Sequence, residues 1–191
     1  MSTPSEKSEM LMTAATLILK ALDDDPEREG LVETPRRFRD MFLEDFSMNG
    51  TPEAALEEMI IREETFDQMI MVRDVPIRGI CEHHLLPWIG TVCIAYLPQD
   101  SAVGLSKVTR MVEAAARGLS VQERVGEKLA DAMEAVLEPL GVMVVIEARH
   151  MCTQIRGVRA ERQKFTTSIA RGAFLENPSA RMEFLTLYGK E

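Results

Sequence analysis

Apolar positions along the chain follow two different periods, and the change falls near Gln68. Upstream, residues 1 to about 66 read as helical with polar breaks. An amphipathic segment covers residues 10–22, and the acidic stretch Asp23-Asp24-Asp25-Pro26 follows it as a solvated loop. Thr34-Pro35 and Thr51-Pro52 each set an N-cap candidate before a proline at the first helical position, so a short helix is expected after both.

Downstream, residues 69–75 and 89–97 are rich in Val, Ile and Met and are interrupted by Pro76, Pro87 and Pro98, a pattern that predicts two neighbouring strands. Across residues 106–119 the apolar set Val108, Met111, Val112, Ala115 and Leu119 has helical spacing. Ser120-Val121-Gln122-Glu123 then has the form of a capping box opening a second helix, which turns Val121, Val125, Leu129, Ala132 and Val136 inward and stops at Pro139-Leu140-Gly141. Residues 142–152 and 164–173 read as two further strands, and a last helix starts at Asn177-Pro178 and ends near Gly189. The expected class is α+β: a helical region over residues 1–66, then a ββααββ core within residues 67–191.

Composition narrows the function. With 191 residues, 46% of them hydrophobic, one core is expected. No run of eighteen apolar residues occurs, and the N-terminus lacks the basic start and apolar stretch of a secretory signal, so a cytoplasmic protein is expected. The formal net charge of −9 argues against a general nucleic-acid binder, and any anionic ligand must meet a local basic pocket. Three cysteines cannot all pair, which favours metal binding or simple burial over a disulfide framework. The three histidines, His83, His84 and His150, each lie within three residues of a cysteine.

In Cys81-Glu82-His83-His84 the thiol and the second imidazole are spaced to converge on one ion from a tight turn. His150-Met151-Cys152 offers a second half-site, since a strand with period two would put both side chains on one face. A soft ion such as zinc would most simply take Cys81, His84 and Cys152 and keep one position for water, which is the catalytic arrangement. A structural four-ligand site that adds His150 is the alternative. In the first case His83 and His150 remain free to move protons, with an ordinary pKa suited to it. Cys93, inside a wholly apolar strand, reads as core.

Lys107, Arg110, Ala114 and Arg117 share the helix face opposite the apolar one, and Lys107 and Arg110 stand near its N-terminal end, where backbone N–H groups favour an anion. Arg156 brings another guanidinium close to Cys152, with a fork suited to phosphate. Glu123 has two competing roles, helix capping and acceptance of two N–H groups from a guanine edge.

From about residue 23 to the C-terminus the chain resembles GTP cyclohydrolase I. The resemblance is carried by Cys-Glu-His-His-Leu-Leu-Pro (81–87), Ile-Ala-Tyr-Leu-Pro (94–98), Gly-Leu-Ser-Lys (104–107), Val-Gln-Glu-Arg (121–124), and His-Met-Cys (150–152) followed by Arg-Gly-Val (156–158). It implies a tunnelling fold (T-fold) assembled as a ring-shaped homodecamer with active sites between subunits. The reaction implied is hydrolysis of GTP at C8 of guanine, loss of formate, and rearrangement to 7,8-dihydroneopterin triphosphate, the first step of tetrahydrofolate and pterin biosynthesis. Under the resemblance Cys81, His84 and Cys152 bind Zn2+, which activates the attacking water. His150 and His83 transfer protons, and Gln122 with Glu123 recognises guanine. Lys107, Arg110 and Arg156 contact the triphosphate, and Ser106 the substrate near ribose and phosphates. The chain departs from the family pattern at Gly79, where Ser is frequent, at Asp40, where a basic residue is frequent, and at Thr153.

Overall fold

The computed structural model describes residues 3–23, 25–46, 50–62 and 66–190, so Asp24 of the acidic loop lies outside the described residues. The chain divides into two compact units, residues 1–47 and 48–191. The first holds helices α1 (Pro4–Leu22) and α2 (Thr34–Glu44), packed on each other. Helix α1 starts earlier than its apolar pattern suggests, because Thr3 and Glu6 close a capping box there. Thr34 is itself helical and makes no cap bond: the N-cap is Glu33, and Pro35 falls in the first turn.

The second unit begins with α3 (Pro52–Glu57), capped as expected by Thr51, whose Oγ1 accepts from the N–H of Ala54 at 3.2 Å. Then come β1 (Ile60–Ile61), β2 (Ile70–Cys81), β3 (Pro87–Leu97), β4 (Ala102–Val103) and α4 (Leu105–Ala116). They are followed by β5 (Leu119–Ser120), α5 (Gln122–Leu137), β6 (Gly141–His150), α6 (Met151–Gln154), β7 (Phe165–Gly172), α7 (Ala173–Glu176) and α8 (Pro178–Tyr188). Helix α3, grouped with the N-terminal helices on sequence, packs on α4 and α5.

The ββααββ core of the expected T-fold is present as β2-β3-α4-α5-β6-β7. The sheet order is β5-β2-β3-β6-β7, antiparallel except for the parallel pair β2/β5. One sheet face is covered by α4 and α5 over the main core, in which Val92, Ile94, Met111, Val112, Val125, Leu129, Met133 and Ile146 are all at most 1% exposed. The opposite face carries a smaller cluster in which Cys93, Ala95, Met143 and Val145 meet Phe174 and Phe184 of the C-terminal helices. Burying the Val, Ile, Leu, Met and Phe side chains among these supplies most of the driving force, each contributing about 1.5–3 kcal/mol relative to exposure. Among the described residues no helix is long and apolar enough to cross a membrane.

Two junctions position the site. Strands β2 and β3 are joined by a turn in which Cys81 N–H donates to Leu86 O and Leu85 N–H to Cys81 O, both at 2.9 Å, with Leu85 at φ +54°. Strand β5 lies parallel to the end of β2, with Cys81 opposite Ser120, so the start of α5 is fastened beside that turn.

Candidate active site

A cavity of about 200 Å³ opens where these junctions meet the end of β6. It is lined by Cys81, His83, His84, Gln122, Glu123, His150 and Cys152 of the expected site, with Ser120, Val121, Thr153 and Phe165. Ligand atoms of Cys81, His84 and Cys152 all lie within 4.8 Å of one another. Sγ of Cys81 is 3.8 Å from Nδ1 of His84 and 3.9 Å from Nδ1 of His83. His83 is exposed, with 64% of its side chain open to solvent.

The route by which Cys152 arrives differs from the expected one. Strand β6 ends at His150, and Cys152 stands in the first turn of α6, so residues 150 and 152 do not share a strand face. The thiol of Cys152 is pushed up by burial first and by the neighbouring Cys81 second. A Cys-His-Cys donor set is soft, so the residues fit a zinc ion.

The capping box expected at residues 120–123 does not form. Ser120 is drawn into the parallel ladder with β2, α5 begins at Gln122, and its N-cap Val121 offers no side-chain bond. Glu123 is thereby free of the capping role and exposed at the cavity. Ser120 Oγ is buried with no hydrogen-bond partner among the described residues.

Gln122, implied as half of a guanine-reading pair, is turned inward and is 2% exposed. Its Nε2 donates toward Ile146 O (3.0 Å), Phe165 O (3.2 Å) and Thr167 Oγ1 (3.0 Å). Its Oε1 lies 2.9 Å from Nε2 of His150. The imidazole of His150 also stacks on Trp88, with centroids 5.6 Å apart and planes at 14°, and meets Phe165 edge-on at 5.2 Å. Burial lowers its pKa, and the nearby Glu123 carboxylate works in the opposite direction. Trp88, Phe165 and Thr167 have no sequence motif of their own, and only the strand register brings them here.

The phosphate-binding candidates of α4 stand elsewhere, whereas the charge of Arg156 reaches the Cys152 thiol. Lys107 and Arg110 of α4 both bind the carboxylate of Glu58, Arg110 at 2.6 Å. Ser106 and Arg156 are exposed, and none of these four lines the cavity. Asp40 of the first unit is neutralised by Arg36 at 3.0 Å and Arg39 at 2.5 Å.

Comparison with known proteins gives a consistent result. The family model described as GTP cyclohydrolase I matches residues 11–189. GTP cyclohydrolase 1 of Chlorobium phaeovibrioides is 42% identical over 185 residues, spanning 96% of this chain and 82% of that protein. The Streptococcus thermophilus protein of the same name is 41% identical over 184 residues, spanning 95% of this chain and 97% of its own length. That of Geobacillus kaustophilus is 43% identical over 176 residues, spanning 91% and 93%.

Proposed function

The chain belongs to the GTP cyclohydrolase I family and is an enzyme of that family, and from this premise we propose that it opens guanine at C8 in a zinc-dependent reaction. GTP and water would give formate and 7,8-dihydroneopterin triphosphate, a product for pterin and folate biosynthesis. The observation that carries the reading is the convergence of Cys81, His84 and Cys152 within 4.8 Å, in a cavity shared with His150 and Glu123.

Cys81, His84 and Cys152 would hold the ion, two as thiolates and one as a neutral imidazole. When bound, zinc in such a three-ligand site acts as a Lewis acid that makes water nucleophilic near neutral pH. Glu123, at the open end of α5, accepts N–H groups of the guanine edge and so fixes the ring over the site. His150, whose charged form burial disfavours, takes up a proton and delivers it to the imidazole portion of the base as that ring opens. His83, open to solvent, exchanges protons with bulk water. Ser106, Lys107, Arg110 and Arg156 serve the ribose and triphosphate.

For Ser106, Lys107 and Arg110 of α4 that assignment calls for a second copy of the chain. The described residues lining the cavity include no Lys or Arg, whereas the substrate carries a triphosphate. A homo-oligomer, a decamer by resemblance, would bring the α4 cations of one subunit to the cavity of the next. The open backbone edge of β7 is consistent with pairing between copies.

Incubating the zinc-loaded protein with GTP should release formate and leave a pterin that fluoresces after oxidation. Absence of both products would reject the reading. Light scattering should report a multiple of 21.4 kDa.

A further inference from the structure

The structure assigns Gln122 a positioning role, in which it clamps the His150 imidazole as the Nε2–H tautomer and leaves Nδ1 as the nitrogen that exchanges protons with the substrate. The inference rests on the reading of His150 as a proton-transfer residue, and it moves Gln122 from guanine recognition to service of that histidine.

The orientation of the Gln122 amide follows from its neighbours. One end faces two main-chain carbonyls, Ile146 O at 3.0 Å and Phe165 O at 3.2 Å. Carbonyl oxygens only accept, so that end must be the NH₂ group; a flipped amide would press oxygen against oxygen. The other end is therefore Oε1, which also only accepts. Since it stands 2.9 Å from Nε2 of His150, that nitrogen must carry the hydrogen. Thr167 Oγ1, 3.0 Å from the NH₂ group, leaves it three acceptors for two hydrogens. No side-chain donor remains for a guanine edge.

Packing completes the clamp. Trp88 lies flat against one face of the imidazole, and Phe165 meets it edge-on from another direction. With the Nε2 bond these contacts restrict both the tilt and the spin of the ring, as partners behind a reactive histidine do elsewhere. The Phe165 main chain also binds Gln122, so one residue supports both members of the pair.

Steady-state formate release from zinc-loaded protein tests this with Gln122→Ala, His150→Ala and the double variant. Positioning predicts that Gln122→Ala lowers kcat by roughly 10- to 100-fold with KM for GTP nearly unchanged. It further predicts that the double variant is no slower than His150→Ala alone. A raised KM with intact kcat, or effects that multiply in the double variant, overturns the inference. His150→Ala at wild-type kcat instead removes the reading beneath it. A measurement on the wild-type enzyme reads the tautomer directly, and a variant serves only for assignment: with three histidines in the chain, ring ¹⁵N resonances can be assigned through His150→Ala. A proton on Nε2 of His150 supports the inference, and a proton on Nδ1 with Nε2 bare overturns it.

Discussion

Trp88 and His150 are cross-strand partners whose rings stack at 5.6 Å, and the register continues on the other side of Trp88 to Gly79. Gly79, Trp88 and His150 thus form one line across β2, β3 and β6. The indole is fully buried, and a Cβ added at residue 79 would sit 2.6 Å from its ring carbons. The departure from serine at residue 79 has a physical reason: the tryptophan occupies the space a side chain there would need.

The first prediction concerns that line. Gly79→Ser should destabilise the protein by about 1–3 kcal/mol, the usual cost of overpacking, and lower kcat by displacing the indole from His150. Urea unfolding and steady-state turnover check both effects, and adding Trp88→Phe should restore part of each. An unaltered midpoint and unaltered turnover in Gly79→Ser would contradict the packing argument.

A second prediction concerns the metal. Cys152→Ala should lose the ion and reduce formate release to background, because two ligands do not complete a zinc site. Metal content and activity are to be read on the same preparation. His83→Ala, by contrast, should keep the ion, since His83 stands outside the converging trio. Retention of full metal by Cys152→Ala would exclude that thiol as a ligand.

Glu58 leads to a third. Its carboxylate holds both Lys107 and Arg110, so a triphosphate must displace it to reach them. Glu58→Gln should lower KM for GTP by about two- to fivefold at low salt, in line with exposed ion pairs, with the difference shrinking at high salt. A KM that rises instead would mean that Glu58 preorganises the cations rather than competing for them.

The fourth is a pH dependence. Burial beneath the C-terminal helices pushes the Cys93 thiol up from 9.0 to about 11. The folded state then keeps this proton where the unfolded chain has released it. Its contribution is fully present below pH 9, falls as pH rises, and is gone above about 11. Two pKa units amount to at most about 3 kcal/mol. Comparing unfolding of wild type and Cys93→Ala across this range should show the wild type losing the larger share of its stability. Parallel curves would argue against the shift.

Much of this site can be read in the sequence, because its chemistry depends on rare residues at short spacings. Cys81 and His84 share one tight turn, and no long-range information is needed to pair them. The element types around them were also legible, since Val108, Met111, Val112 and Ala115 repeat with helical period and all are buried. What could not be read depends on pairing between distant segments. Ser120 looks like a helix cap, but its parallel pairing with Cys81 overrides local propensity and delays the helix to Gln122. The inward amide of Gln122 is hidden for the same reason, since its acceptors come from β6 and β7.

Strand β6 hands over to helix α6 between His150 and Met151. Two neighbours in sequence are thereby moored to different scaffolds, one to a sheet and one to a helical turn. Substitutions in the turn around Cys152 should therefore leave the His150 imidazole in its seat, so the two cavity-lining side chains become separately adjustable parts of one short peptide.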